Sequence, residues 1–126
     1  MLAAAARALA DARVTTISAE TRFDAAYKAG MQAALAALMA HGFRPDTNRP
    51  GHHATVLQAL SHTIGLAASR IVVLDTLRRK RNLSDYSGEE VDESSAEHCI
   101  EAVSQLLKDV QVWIRSNRPA LLTKRS

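Results

Sequence analysis

Ile71-Val-Val-Leu-Asp-Thr-Leu-Arg-Arg-Lys-Arg-Asn-Leu-Ser-Asp-Tyr86 is an apolar run that turns basic without losing its helical period. At about 100° per residue, Val73, Leu74 and Leu77 form one stripe. Arg81 falls on that stripe four residues after Leu77, and Asp85 follows four residues later. A guanidinium aimed at the core side needs a partner or a cleft, because burying an unpaired charge is very costly. The stretch therefore predicts a core-facing helix with a polar site at its C-terminal end.

The chain on either side has the same period. An Ala-rich segment near residues 2–13 comes first, then Ser18 as an N-cap with Glu20 in the first helical turn. The helix that follows places Phe23, Tyr27, Met31, Ala34, Leu35 and Leu38 on one face and stops at Gly42. Its alanines, Ala25, Ala26, Ala33, Ala36 and Ala37 among them, permit close approach of a neighbouring helix. Phe43-Arg-Pro-Asp-Thr-Asn-Arg-Pro-Gly51 is a loop. A third helix is predicted from about His52 to His62, with Val56, Leu57, Leu60 and Ile64 on its apolar side, broken or bent at Gly65. Ser87-Gly88 ends the Ile71–Tyr86 helix. Ser94-Ser-Ala-Glu97 has the form of a capping box and opens a last long helix. That helix carries Ile100, Val103, Leu107, Val110 and Ile114 as its stripe and closes at Pro119. Strand-period alternation is absent, and the expected architecture is all-α, an up-and-down bundle of four or five helices.

At 126 residues the chain is expected to form one domain over residues 1–126, its core at about 18–116, with a short N-terminal helix and a basic C-terminal tail. Lys and Arg number 16 against 13 for Asp and Glu, too small an excess to define a nucleic-acid role. The basic residues are grouped, as Arg78-Arg79-Lys80-Arg81 and as Arg115, Arg118, Lys124 and Arg125. The acidic stretch Glu89 to Glu97 follows the first group, so neutralisation across that junction is expected. Cys99 is the only cysteine, which excludes an intramolecular disulfide and fits a reducing compartment; its helical setting predicts core packing. Arg7 and Asp11 interrupt the N-terminal apolar run too early for a secretory leader, and no apolar span is long enough for a membrane. A cytoplasmic protein without cofactor is expected.

Three groups of residues compete as sites. His52, His53, His62 and His98 lack the i, i+3 or i+4 spacing of helical metal pairs, so no metal site is expected. His53 lies in line with Leu57, which predicts a hydrogen-bonded, partly buried ring. Ala59 to Leu74, with its turn glycine, has the outline of a DNA-binding helix-turn-helix in which Ser69 and Arg70 would begin the recognition helix. Against it, Ile71-Val72-Val73-Leu74 is apolar almost all round, as befits burial. The third group is Arg81-Asn-Leu-Ser-Asp-Tyr86, in which Arg81 is spaced to pair with Asp85 while Arg79, Asn82 and Tyr86 project from another face.

With those residues the chain resembles a HEPN domain (higher eukaryotes and prokaryotes nucleotide-binding). The matching pieces, in order, are Tyr27-Lys-Ala-Gly-Met-Gln-Ala-Ala34 with the leucines after it, Gly42, Pro50-Gly-His-His-Ala-Thr-Val56, Leu77 through Tyr86, and the helix from Ser94. The resemblance spans roughly residues 20–116, and Arg-Asn…Asp-Tyr is its specific part. It implies a compact helical bundle that forms homodimers. In ribonuclease members an Arg, a polar residue and, a few residues on, a His meet across the dimer interface. Arg81 and Asn82 match the first two positions, and Tyr86 stands where the His would be. A tyrosine, with a reference pKa of about 10, is a poor base for the ribose 2′-hydroxyl. Arg81 would still stabilise a pentacoordinate phosphate.

The chain is similar to a bacterial branch of the family that ends the motif in Asp-Tyr. That branch is often paired with small nucleotidyltransferases in toxin–antitoxin-like systems. The resemblance thus implies an RNA-directed or nucleotidyltransferase-partnered module with weak or no ribonuclease activity. Arg81, Asn82 and Tyr86 would be its candidate catalytic positions, and Arg78, Arg79, Arg81 and Asp85 its RNA- or partner-binding residues. The alternatives are an active metal-independent endoribonuclease that borrows His52 or His53, a helix-turn-helix DNA-binding protein, and a structural dimerisation module.

Overall fold

The computed structural model describes residues 2–43, 52–87 and 91–120, without the side chains of residue 52 and of 84–87. Among the described residues every regular element is a helix: α1 (Leu2–Ala12), α2 (Ala19–Ala40), α3 (His52–Gln58), α4 (Leu60–Thr63), α5 (Ala68–Ser87) and α6 (Glu93–Asn117). The fold is an all-α bundle. α3 and the single-turn α4 are one interrupted helix, broken at Ala59 earlier than the glycine signal predicts. Gly65 then adopts φ 68° and turns the chain into α5.

α2 lies at the centre. Ser18 caps it, its hydroxyl accepting from the Thr21 N–H at 3.1 Å. At the other end Gly42 has φ 86°, and the Gly42 and Phe43 N–H groups reach back to the Met39 and Leu38 carbonyls, the pattern of a Schellman stop. Phe23, Tyr27, Met31 and Ala34 are buried on one side, while Ala26, Ala29, Ala33 and Ala37 are buried on others. The helix is therefore enclosed on more than the one face that periodicity marks. Its small residues make this feasible: a Cβ at Gly30 would sit 2.9 Å from Val103 Cγ2 of α6, so the two backbones approach where no side chain intervenes.

Polar contacts record the helix directions. Arg22, with 3% of its side chain exposed, donates from Nε to the Ala12 carbonyl at 2.8 Å and pairs with Glu93 and Glu97 at 2.7 Å each. It therefore holds the end of α1 and the start of α6 against the start of α2. At the other pole His41 stacks on Trp113, ring centroids 4.6 Å apart, and its Nε2 lies 2.7 Å from the Thr63 carbonyl, which it can only meet as a donor. α2 and α6 are thus parallel. Arg70 of α5 pairs with Asp109 of α6, and Arg81 reaches Asp24 near the start of α2, so α5 runs the opposite way. The four long helices alternate in direction, and the α3–α4 segment, from His53 beside Tyr27 to Thr63 beside His41, runs with α2.

Two expectations are corrected. Asp92, not Ser94, caps α6, its carboxylate accepting from the Ser95 N–H at 2.8 Å. The helix begins two residues earlier than the capping-box pattern implies, and Glu97 pairs with Arg22 instead of capping. Val72 and Val73 are 63% and 46% exposed while Ile71 and Leu74 are buried, so the apolar run of α5 is not enclosed all round. Four consecutive residues cover the whole circumference of a helix, and the neighbours α2, α3, α4 and α6 cover only part of it.

Candidate functional site

The first half of α2, the start of α3 and Arg81 of α5 meet around one cleft of about 420 Å³. Its walls include Asp24, Tyr27, Lys28, Gln32, His53 and Arg81. Helical spacing places Asp24 and Lys28 one turn apart on the same side of α2. Tyr27 is buried against the core, and its hydroxyl needs a partner there. It finds His53 Nδ1 at 2.9 Å, with the two rings tilted by 47°. The hydrogen-bonded, half-buried role expected for His53 is the one observed.

Arg81 lies over the outer side of the same ring, its Cζ 5.1 Å from the Tyr27 centroid. An aromatic face attracts a guanidinium electrostatically. The Arg81 side chain is 33% exposed, at the rim of the cleft. Its Nε lies 3.5 Å from Asp24 Oδ1, and that carboxylate is itself 48% exposed. The separation is within ion-pair range and longer than a good charge-assisted hydrogen bond. Burial pushes the Tyr27 phenol up to about 12, against the opposing pull of Arg81 and Arg78. Its hydroxyl therefore stays protonated and serves as a fixed hydrogen-bonding group. Gln32 adds a buried Oε1 with no hydrogen-bond partner among the described residues.

The basic run around Arg81 is organised by Asp75. Arg78 Nε and Arg79 Nε approach its two carboxylate oxygens at 2.8 and 3.0 Å. The Arg78 hydrogen bond, with both guanidinium charges, holds the Asp75 carboxyl below its ordinary range. Neutralisation thus happens within α5 for Arg78 and Arg79, while Glu93 and Glu97 of the acidic stretch turn to Arg22. Arg79 remains largely exposed, and Arg78, turned inward onto Asp75, is not presented at the surface in the same way. Asn82 is half-buried beside Arg81 in sequence. The side chains of Asp85 and Tyr86, and that of His52, lie outside the described residues, so the expected Arg81–Asp85 pair falls there too.

Other candidates separate from this cleft. His62 and His98 are exposed and lie outside it. Among the described residues no three His, Cys, Asp or Glu side chains converge to hold a metal ion. Cys99 is buried, its Sγ 3.9 Å from the Phe23 carbonyl, and burial pushes its thiol up to about 12. It is an inert core residue. Arg70, which the helix-turn-helix pattern would present to DNA, is paired with Asp109. No described helix is long and apolar enough to cross a membrane.

Asp24, Lys28 and Tyr27 carry no site signal in the sequence. Tyr27 reads as one more member of the α2 stripe, and the one clue was that a buried phenol requires a hydrogen-bond partner. In comparisons with family models, with curated proteins and with solved structures, none matches the chain.

Proposed function

We propose that the chain is a HEPN-like, RNA-directed module of the kind paired with a small nucleotidyltransferase. In toxin–antitoxin fashion it acts as a cytoplasmic homodimer with weak or no ribonuclease activity. The observation that carries the proposal is the placement of Arg81. Its guanidinium lies over the Tyr27 ring at the rim of a cleft large enough for a nucleotide-sized group, with Lys28 one helical turn from Asp24 in the same wall. A planar, permanently charged fork in such a place suits a phosphate oxygen pair. Asn82, Asp85 and Tyr86 belong to the site on the resemblance alone. Arg79, largely exposed on another face of α5, would contact the backbone of a strand that extends beyond the cleft.

A second proposal, a metal-independent endoribonuclease, draws on one specific observation. His53 comes from another helix into the cleft of Arg81, through Tyr27. Imidazoles as a class titrate near neutrality and carry protons in such reactions. In this mechanism His53 takes the 2′-hydroxyl proton, and the 2′-oxygen attacks the adjacent phosphorus to form a 2′,3′-cyclic phosphate. The P–O5′ bond breaks and the departing 5′-oxygen takes its proton from water, while Arg81 stabilises the charge that develops on the phosphate oxygens.

The experiment that separates them uses mixed single-stranded RNA with a chelator present. The native chain, Arg81→Ala and His53→Ala are compared after helicity and oligomeric state have been matched. Under the first proposal the native chain binds RNA with little turnover, and Arg81→Ala weakens binding. Unchanged RNA binding by a folded Arg81→Ala removes the assignment. Turnover that vanishes in both variants establishes the second proposal instead.

A further inference from the structure

A cleft that receives phosphate has a reason to exclude carboxylates, yet Asp24 stands in the wall of this one. Its charge opposes every polyanion and weakens the field of Arg81, so it costs affinity unless it makes a contact of its own with the ligand. The geometry supplies the means. Asp24 Oδ1 lies 3.5 Å from Arg81 Nε and the carboxylate is nearly half exposed. A carboxylate has about four acceptor positions, so several remain after that contact on a side chain that lines the cleft. A phosphate fork and a hydroxyl acceptor therefore stand side by side. RNA presents the matching pair, a phosphate and the 2′-hydroxyl on the adjoining sugar carbon, whereas DNA presents only the phosphate.

We infer that Asp24 is a specificity-determining residue of this cleft, accepting the ribose 2′-hydroxyl of a strand whose phosphate lies on Arg81, and so selecting RNA over DNA. The inference rests on the proposal that the Arg81 cleft is an RNA site. The 2′-hydroxyl is the group by which proteins distinguish the two polymers, and an acidic side chain on a ribose hydroxyl is a recurring solution in nucleotide sites. Lys28, on the same face of α2, offsets the charge of Asp24 and keeps the cleft from repelling the backbone outright.

The test is the ratio of affinities for a labelled single-stranded oligoribonucleotide and its all-deoxy counterpart, at one salt concentration. It is measured by fluorescence anisotropy on the native chain, Asp24→Ala and Arg81→Ala. Removing a negative charge strengthens binding to both strands alike, because they carry the same phosphates, and the ratio cancels that effect. The native chain is expected to prefer RNA by on the order of tenfold, the worth of one hydrogen bond to a charged group. In Asp24→Ala the ratio falls toward one. A 2′-fluoro strand, which keeps an RNA-like sugar but has no hydroxyl proton, is expected to bind the native chain as DNA does. This arm requires no variant to fold.

A ratio unchanged in Asp24→Ala, or a 2′-fluoro strand bound as tightly as RNA, overturns the inference while leaving the site intact. A native chain that binds RNA and DNA equally likewise overturns only the inference. If a folded Arg81→Ala binds RNA as tightly as the native chain, the RNA site itself falls, and the inference with it.

Discussion

Burial pushes the Tyr27 phenol up to about 12, so its hydroxyl is protonated throughout the neutral range and its link to His53 is a hydrogen bond rather than an ion pair. Tyr27→Phe keeps the ring beneath Arg81 and deletes only that bond. The expected loss is about 1 kcal/mol, read from urea denaturation; an unchanged midpoint would mean that the bond contributes nothing net. Asp75 is the residue whose contribution depends on pH. The fold holds its carboxyl below the ordinary 3.8, chiefly through the Arg78 hydrogen bond. For a depressed carboxyl the stabilisation is complete above about pH 5 and fades as pH falls through the folded value. The stability difference between the native chain and Asp75→Asn should therefore be constant near neutrality and shrink below pH 3.8. A difference that grows in acid would contradict the pairing.

Capping of α6 is an element-scale question with a direct answer. Ser94-Ser-Ala-Glu97 satisfies the capping-box pattern, but Asp92 makes the cap and holds the Ser95 N–H. Hydrogen bonding from the Ser95 hydroxyl, and then from its backbone N–H, keeps the Asp92 carboxyl below its ordinary range. Asp92→Ala should lower the melting temperature by a few degrees, because lost caps are felt at this level. Ser94→Ala should leave it nearly unchanged. The reverse ranking in thermal denaturation would restore the capping box. α5 illustrates the same limit of local pattern. Its apolar residues announce a helix, but Ile71 and Leu74 face inward while Val72 and Val73 face out. Which of four adjacent apolar residues is buried depends on where the other helices lie.

Across the molecule, Arg22 ties three chain segments at one pole and the His41–Trp113 stack ties three at the other. Arg22 is buried while Glu93 and Glu97 are mostly exposed, and this asymmetry decides what substitution does. Glu97, through its hydrogen bond, raises the Arg22 pKa further above its ordinary value, with Glu93 adding to the effect, so the guanidinium remains charged. Removing both carboxylates in Glu93→Gln/Glu97→Gln leaves a buried cation without its counter-charges. Arg22→Met removes the cation and leaves two solvated carboxylates. Breaking a pair from the exposed side is therefore expected to destabilise more than replacing the buried partner. Equal losses, or the opposite order, in paired denaturation curves would show that Arg22 matters mainly for its bond to the Ala12 carbonyl.

The all-α class, the helix at each apolar run, the Ser18 cap, the Gly42 stop and the burial of Cys99 were legible in the sequence because they follow from short-range period and backbone chemistry. Arg81 was legible as an anomaly for the same reason, a charge on an apolar stripe. Its surroundings were not. Asp24, Tyr27 and His53 are separated from Arg81 by long stretches of chain, and no spacing rule connects residues on three different helices. Glu97 was likewise taken out of the capping box by Arg22, which reads in the sequence as one more basic residue. Tertiary packing chose among contacts that local pattern left equally allowed, because a charge brought into the core takes whichever counter-charges the fold sets beside it.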